Sequence, residues 1–161
     1  EAESLMALLK AYNETQRYQE VITTAEKLES LDGILPESTP RALLNKAKAQ
    51  FALKQDQAAG VTLAVLVDEY KTIDGAEGLF LLAESYQKQG QIDLSNDSIF
   101  EMSGPFADFD YWYGRMFLLL AENYLLSGED FQAKATLESI VENSTNEEIK
   151  KLAQDKLQTL N

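Results

Sequence analysis

LLAESYQKQG, Leu81 to Gly90, returns as LLAENYLLSG, Leu119 to Gly128, displaced by 38 residues. A copy at that distance is too long for a heptad and too short for a second domain, so it points to a structural unit repeated along the chain. The tyrosines of the two copies, Tyr86 and Tyr124, serve as anchors of a template. A small residue stands three before the anchor, glycine four after it, and another small residue nine after it. One copy supplies Ala83, Gly90 and Ser95, the other Ala121, Gly128 and Ala133. The same template falls on Tyr12, with Leu9, Gln16 and Val21, and on Gln50, with Ala47, Lys54 and Ala59. Anchors at 12, 50, 86 and 124 divide the chain into four units.

Each unit reads as two helices. In the third, Leu79, Leu82, Ala83 and Tyr86 recur at the spacing of one helical face, Gly90 stops that helix, and Ile92, Ser95, Ile99 and Met102 open the next face. In the fourth, Phe117, Leu120, Ala121 and Tyr124 precede Gly128, and Phe131, Ala133, Leu137 and Ile140 follow. Small residues at the anchored places let paired helices approach closely. Asp32-Gly33 with Pro36, Asp74-Gly75 and Gly104-Pro105 punctuate the unit boundaries, and Thr39-Pro40 supplies an N-cap ahead of a proline suited to a first helical turn. Thr145 with Glu148 forms a capping-box pattern, and Ile149, Leu152, Ala153, Leu157 and Leu160 make the face of one extra helix. Its polar residues, Lys150, Lys151, Gln154, Asp155 and Gln158, suit the solvent side of a terminal cap. The run TLAVLVDEY, Thr62 to Tyr70, is the most strand-like, yet its place after Ala58-Ala59 predicts a second helix.

With 161 residues and 45% hydrophobic content, the chain is the size of one domain with ample material for a core. The repeats are predicted at about 2–35, 38–71, 75–103 and 110–143, with the cap at 146–160. A formal charge of −13 repels phosphate backbones and anionic lipid, which sets nucleic acid and bare membrane aside as partners. The absence of Cys excludes disulfides and thiolate chemistry, and the absence of His removes the commonest general base and transition-metal ligand together. No run reaches the roughly 18 apolar residues of a membrane span, and the acidic start EAESLMALLK lacks the basic region of a signal peptide. Without an initiating Met, the chain reads as a piece of a longer protein whose targeting signal would lie upstream.

The order of small residue, aromatic, Gly and small residue across a helix pair resembles the tetratricopeptide repeat, of period roughly 34 residues. LLAESYQKQGQIDLS and LLAENYLLSGEDFQA carry the resemblance best. LLKAYNETQRYQEV and KAKAQFALKQDQAA are degenerate, with Gln16 and Lys54 where Gly is usual. GAEGLFLLAESY followed by YWYGRMFLLLAENYLLSGEDFQAKATLESIVEN resembles the C-terminal part of long bacterial tetratricopeptide-array proteins, many of which are exported to the cell envelope. The resemblance implies an all-α fold: a right-handed α-α superhelix of four helix pairs plus a C-terminal capping helix. It implies a concave face, lined by the first helix of each pair, that holds peptide or protein partners, and it implies neither catalysis nor a cofactor.

Carried over by position from the anchors, that face takes Met6, Leu44, Phe80 and Leu118 as an apolar row. Lys10, Lys48, Glu84 and Glu122 form a charge row beside it, changing from basic to acidic, and Asn13, Phe51, Gln87 and Leu125 form a third. An apolar strip with flanking charges suits a peptide, while the same residues can equally pack against neighbouring helices. The family's best-known peptide site grips a terminal carboxylate with Lys, Asn and Arg, and Lys10, Asn13 and Lys48 come nearest to it, with Arg41 as the further cation. FADFDYWYGRM, Phe106 to Met116, places five aromatics in eight residues before the fourth unit, either as an interface anchor or as a plug behind Asp110 as helix cap. Arg115 is the residue there best placed to touch a partner.

Catalytic and metal-binding residues are not predicted. The carboxylate pairs Asp108 with Asp110 and Glu147 with Glu148 sit where acids favour a helix start. DLSNDSIFE, Asp93 to Glu101, lacks the central Gly of a calcium loop and falls within a helix. The expectation is a non-enzymatic protein-interaction module. A second reading makes the segment a structural terminator of a longer array, self-associating through its first helix or its aromatic stretch into a homo-oligomer.

Overall fold

The computed structural model describes residues 1–31 and 37–160. Their order is α1 (Ala2–Glu14), α2 (Tyr18–Glu29), α3 (Ser38–Ala52), α4 (Asp56–Glu69), α5 (Ile73–Lys88), α6 (Ile92–Met102), a short 3-10 turn (Gly104–Phe106), α7 (Asp110–Leu126), α8 (Asp130–Asn143) and α9 (Glu147–Leu160). No strand occurs among the described residues, and TLAVLVDEY is helical through Glu69 within α4. No helix among them is long and apolar enough to cross a membrane. The helices group into two compact units, the first closing at Gly78 and the second opening at Leu79, within α5.

In the first unit α1 packs on α2 and α3, and α3 packs on both α2 and α4. Leu9, Val21, Ile22, Ala25, Leu28, Ala42 and Ala49 form its buried cluster, with Leu5, Met6, Tyr12 and Tyr18 laid against it. In the second unit α7 packs on α6 and α8, and α9 closes over α7 and α8. Its cluster is Leu118, Ala121, Leu137, Ile140, Ile149 and Ala153, flanked by Tyr111, Phe117, Leu152, Leu157 and Leu160. The apolar face read for the last helix is therefore the face it buries. Gly114 explains how close α9 comes, because a Cβ there would lie 2.6 Å from Ile149 Cγ2.

The anchor template has one backbone meaning at all four anchors. The residue four past each anchor takes a left-handed conformation: Gln16 at φ 57°, Lys54 at 62°, Gly90 at 75° and Gly128 at 74°. In each case the next N–H donates back to the anchor carbonyl: Arg17 to Tyr12 (2.8 Å), Gln55 to Gln50 (2.8 Å), Gln91 to Tyr86 (2.9 Å) and Glu129 to Tyr124 (2.8 Å). This is the six-to-one bond of the Schellman motif, which satisfies carbonyls left over at a helix end. Gln16 and Lys54, degenerate as sequence, thus perform the glycine's turn with a side chain attached. The small places do their expected work. Leu9, Ala47, Ala83 and Ala121 are buried, as are Val21, Ala59, Ser95 and Ala133. Ser95 Oγ also donates to the Ala83 carbonyl at 2.8 Å, tying one small place to the other across the helix pair.

Several local expectations are corrected. Asp74-Gly75 does not separate two units; both lie in the first turn of α5, where the Gly75 N–H donates to Thr72 Oγ1 at 3.3 Å and the chain breaks at Tyr70 instead. A nearly buried Asp74 at a helix start is stabilised by the dipole and by Arg41, whose Nε lies 2.7 Å from Asp74 Oδ1. Thr39 is not a cap, since α3 begins at Ser38, and Pro40 sits in a first turn whose N–H groups have no helical partner. Asp110 is the first residue of α7 rather than its cap; Phe109 holds the cap position and Asp110 Oδ2 accepts the Thr145 hydroxyl at 2.8 Å. Thr145 is thereby withdrawn from the capping box. Asn146 caps α9 in its place, its Oδ1 accepting the Ile149 N–H at 3.0 Å. Phe131, read as part of the α8 core face, is 83% exposed in the first turn of that helix. The Asp32-Gly33 and Pro36 break lies outside the described residues.

Candidate functional site

In the first unit the predicted basic site residues Lys10, Lys48 and Arg41 are each engaged within the chain. Lys10 is exposed on α1, 3.9 Å from Glu14. Lys48 forms an ion pair with Glu77, and Arg41 with Asp74. Asn13 donates to Asn45 Oδ1 at 3.0 Å, and Asn45 in turn donates to the Arg41 carbonyl at 2.8 Å. Leu44 is buried and Phe51 half-buried. Each of Lys10, Lys48 and Arg41 already has a carboxylate of the chain beside it.

The second unit brings five of the predicted residues into one cleft. Phe80 and Glu84 from α5 meet Arg115, Leu118 and Glu122 from α7 around a cavity of about 370 Å³, completed by Leu119 and by Glu148, Leu152 and Lys156 of α9. Sequence reasoning missed the α9 contribution by treating that helix as a cap with a dry face and a wet face. The signal was present: Glu148, Leu152 and Lys156 recur every four residues, which places them in one row.

Arg115 is the most constrained charge in this cleft. Its guanidinium carbon lies 4.7 Å from the Phe80 ring centroid and 5.8 Å from that of Tyr111, and Nη1 donates to the Tyr111 hydroxyl at 2.8 Å. Trp112 sits 5.7 Å from Phe80 and edge-on to Tyr111 at 5.0 Å. The aromatic stretch therefore acts locally as a cradle for Arg115, while Phe106 is fully buried as a plug. Among the described residues no carboxylate pairs with Arg115. The acids of the cleft are partly neutralised: Lys156 Nζ lies 2.6 Å from Glu122, and Lys88 Nζ 2.9 Å from Glu84.

Behind the cleft runs a polar network that sequence reasoning did not foresee. Asn123 is fully buried; its Nδ2 donates to Ser95 Oγ at 2.8 Å and to Asn96 Oδ1 at 2.9 Å, and its Oδ1 accepts Gln87 Nε2 at 3.0 Å. A buried amide with all these partners fixes α5, α6 and α7 in register, because losing any partner would leave an unpaired polar group. The apolar row itself is largely packing: Phe80, Leu118 and Leu119 are 6%, 4% and 3% exposed. What the cleft offers to another molecule is its polar rim and the half-buried Leu152.

Comparison with known proteins matches the tetratricopeptide repeat family model at residues 41–72 and 115–146. These stretches span most of α3–α4 and α7–α8. Two crystal structures share the fold. Both are of a kinesin light chain-like protein of Podosopora anserina with nearly identical TPR-like repeats, one of them a point variant. They superpose with TM-scores of 0.69 and 0.68 at 19% and 20% identity, covering 98% of this chain and 84% of theirs. No curated protein matches the sequence.

Proposed function

Because the chain carries tetratricopeptide repeats and has their all-α fold, we propose that it is a non-enzymatic protein-interaction segment, with a peptide or protein partner held at the α5–α7–α9 cleft. The observation that carries this reading is Arg115: a guanidinium held between two aromatic rings, without a carboxylate of its own among the described residues, facing a cavity. Arg and aromatic residues dominate binding hot spots because they combine apolar area with directed charge at small entropic cost. A partner segment presenting an acceptor to Arg115 and a donor to the Glu84 and Glu148 side fits the rim, with Leu152 as the apolar contact. Repeats of this kind generally serve protein–protein interaction, and the groups of the cleft are suited to recognition rather than to bond-making.

Affinity capture from native extract tests this, comparing the wild-type chain with an Arg115→Gln, Leu152→Ala variant after circular dichroism has established equal helicity. A protein retained by the wild type and lost by the variant supports the cleft. Identical captures, or none, overturn it. One observation favours the second reading, a structural end to a repeat array: Gly114 lets Ile149 seat so closely that α9 seals the α7–α8 pair, as a terminal helix must. On that reading the same variant captures everything the wild type does.

A further inference from the structure

The α7 helix lines a second, larger cavity on another of its faces. Asp110, Tyr113, Gly114 and Phe117 recur at i, i+3, i+4 and i+7, and with Ala107, the C-terminal half of α8 from Ala135, and Ser144 and Thr145 after it, they line about 580 Å³. That volume lies within the range of ligand pockets. Nothing in the proposed partner cleft uses these residues, so the two sites stand or fall independently.

The chemistry of the lining is one-sided. Tyr113 and Phe117 form an aromatic pair with centroids 4.8 Å apart. Asp110 is the only charged residue among the lining groups. The protons of the polar groups are largely spent on the chain itself: Thr145 donates to Asp110 Oδ2 (2.8 Å), Thr136 to the Gln132 carbonyl (2.8 Å), and the Asn143 amide to the Ser139 carbonyl (2.9 Å) and Oγ (3.3 Å). Ser144 Oγ exchanges bonds with the Asn146 backbone at 3.2 and 3.5 Å. What remains available is mostly lone pairs: Asp110 Oδ1, Thr136 Oγ1 and Asn143 Oδ1 accept, and the Ser139 and Tyr113 hydroxyls accept as well as donate. Of the charged residues adjacent in sequence to the lining, Asp108, Glu138 and Glu142 are acidic and Lys134 is basic, while Arg115 faces Phe80 and Tyr111.

We propose that this cavity binds an arginine side chain of a basic peptide segment. A guanidinium is all donors, matching a lining left with acceptors, and its planar face stacks on aromatic rings. Tyr113 and Phe117 supply the ring surface, and Asp110, already oriented by Thr145, supplies the counter-charge. The cavity is larger than one side chain, and its hydroxyl and amide edge along α8 has room for the peptide backbone on either side. The overall charge of −13 draws such a segment in from solution.

The test uses the whole chain, labelled with nitrogen-15, titrated at low ionic strength with the pentapeptide amide Gly-Ala-Arg-Ala-Gly. The same peptide with citrulline in place of arginine, and free agmatine, are titrated in parallel. Expected are amide shifts at Gly114, Thr136, Ser139 and Asn143, with affinity lowered about tenfold or more by citrulline and by Asp110→Asn, the scale of one lost charge-assisted hydrogen bond. Asp110→Asn retains an acceptor for Thr145, so the local fold is kept. Tyr113→Leu, checked by circular dichroism, should weaken binding through loss of the ring face. Equal binding of the citrulline peptide, indifference to Asp110→Asn, shifts confined to other residues, or no saturable shift up to millimolar peptide each overturn the proposal. Agmatine binding as tightly as the peptide overturns the peptide as occupant in favour of a small amine.

Discussion

The four left-handed turns make a paired prediction of opposite sign. Gln16 and Lys54 hold φ values of 57° and 62° with a Cβ in place, whereas Gly90 and Gly128 hold 75° and 74° without one. A left-handed conformation costs an L-residue roughly 1–2 kcal/mol, while glycine's extra freedom in the unfolded chain costs roughly 0.5–1 kcal/mol. The difference leaves glycine ahead by about 0.5–1 kcal/mol. Gln16→Gly and Lys54→Gly should therefore each stabilise the chain by that amount, and Gly90→Ala and Gly128→Ala should each destabilise it by the same amount. A steric explanation for the glycine losses is excluded in advance, because a Cβ at Gly90 or Gly128 would meet nothing within 4 Å. Urea unfolding followed by circular dichroism measures all four, with thermal midpoints expected to move by about 1–4 °C. The reasoning is refuted if Gln16→Gly or Lys54→Gly destabilises, or if Gly90→Ala and Gly128→Ala are both neutral. In either case the shared backbone turn would not be what the template encodes.

Further outcomes follow from the second unit. Gly114→Ala should cost about 1–3 kcal/mol by overpacking against Ile149, and Ile149→Ala should suppress much of that added cost when the two are combined, as a double-mutant cycle in urea would read. Asn123→Ala should cost about 1–3 kcal/mol by leaving Ser95, Asn96 and Gln87 without their partner, an effect seen in the urea midpoint. Since Trp112 is the only tryptophan and lies 5.7 Å from Phe80, Phe80→Leu should shift and re-intensify its emission, whereas Tyr113→Leu on the other face should change it far less.

The architecture was legible because its determinants are local. Helical spacing, small residues at close approaches and a stop four past each anchor are all written in consecutive residues, and even the degenerate Gln16 and Lys54 hold the place their template assigns. The errors at Asp74, Asp110 and Thr145 have a common physical origin. Each is a polar residue near a helix start, read from sequence as a chain break at Asp74 and as a cap at Asp110 and Thr145, where tertiary structure offers a partner instead: Arg41 for Asp74, and Asp110 and Thr145 for one another. The fully buried Asn123 was invisible for a related reason, since nothing local distinguishes an amide with partners on another helix from one facing water. The candidate cleft was half legible. The α5 and α7 residues could be placed by register from the anchors, while Glu148, Leu152 and Lys156 lie beyond the last anchor and enter only because α9 turns back onto α7.

The organisation of α7 ties these strands together. Arg115, Leu118, Leu119 and Glu122 line one cavity, and Asp110, Tyr113, Gly114 and Phe117 line the other, each set at i, i+3, i+4 and i+7. Five residues separate the two sets, which at 3.6 residues per turn sets the stripes about 140° apart around the helix. One helix thus presents two chemically distinct surfaces: a cradled cation with a mixed-charge rim on one, and a carboxylate with aromatic rings and spare acceptors on the other. The buried residues between them, Met116 and Leu120, keep the helix fixed whichever surface is altered. Substitutions at Arg115 and at Asp110 can therefore be read separately. An acceptor-bearing partner should respond to the first, a donor-bearing peptide to the second, and an effect of either substitution on both ligands would mean that the two surfaces are coupled through α7.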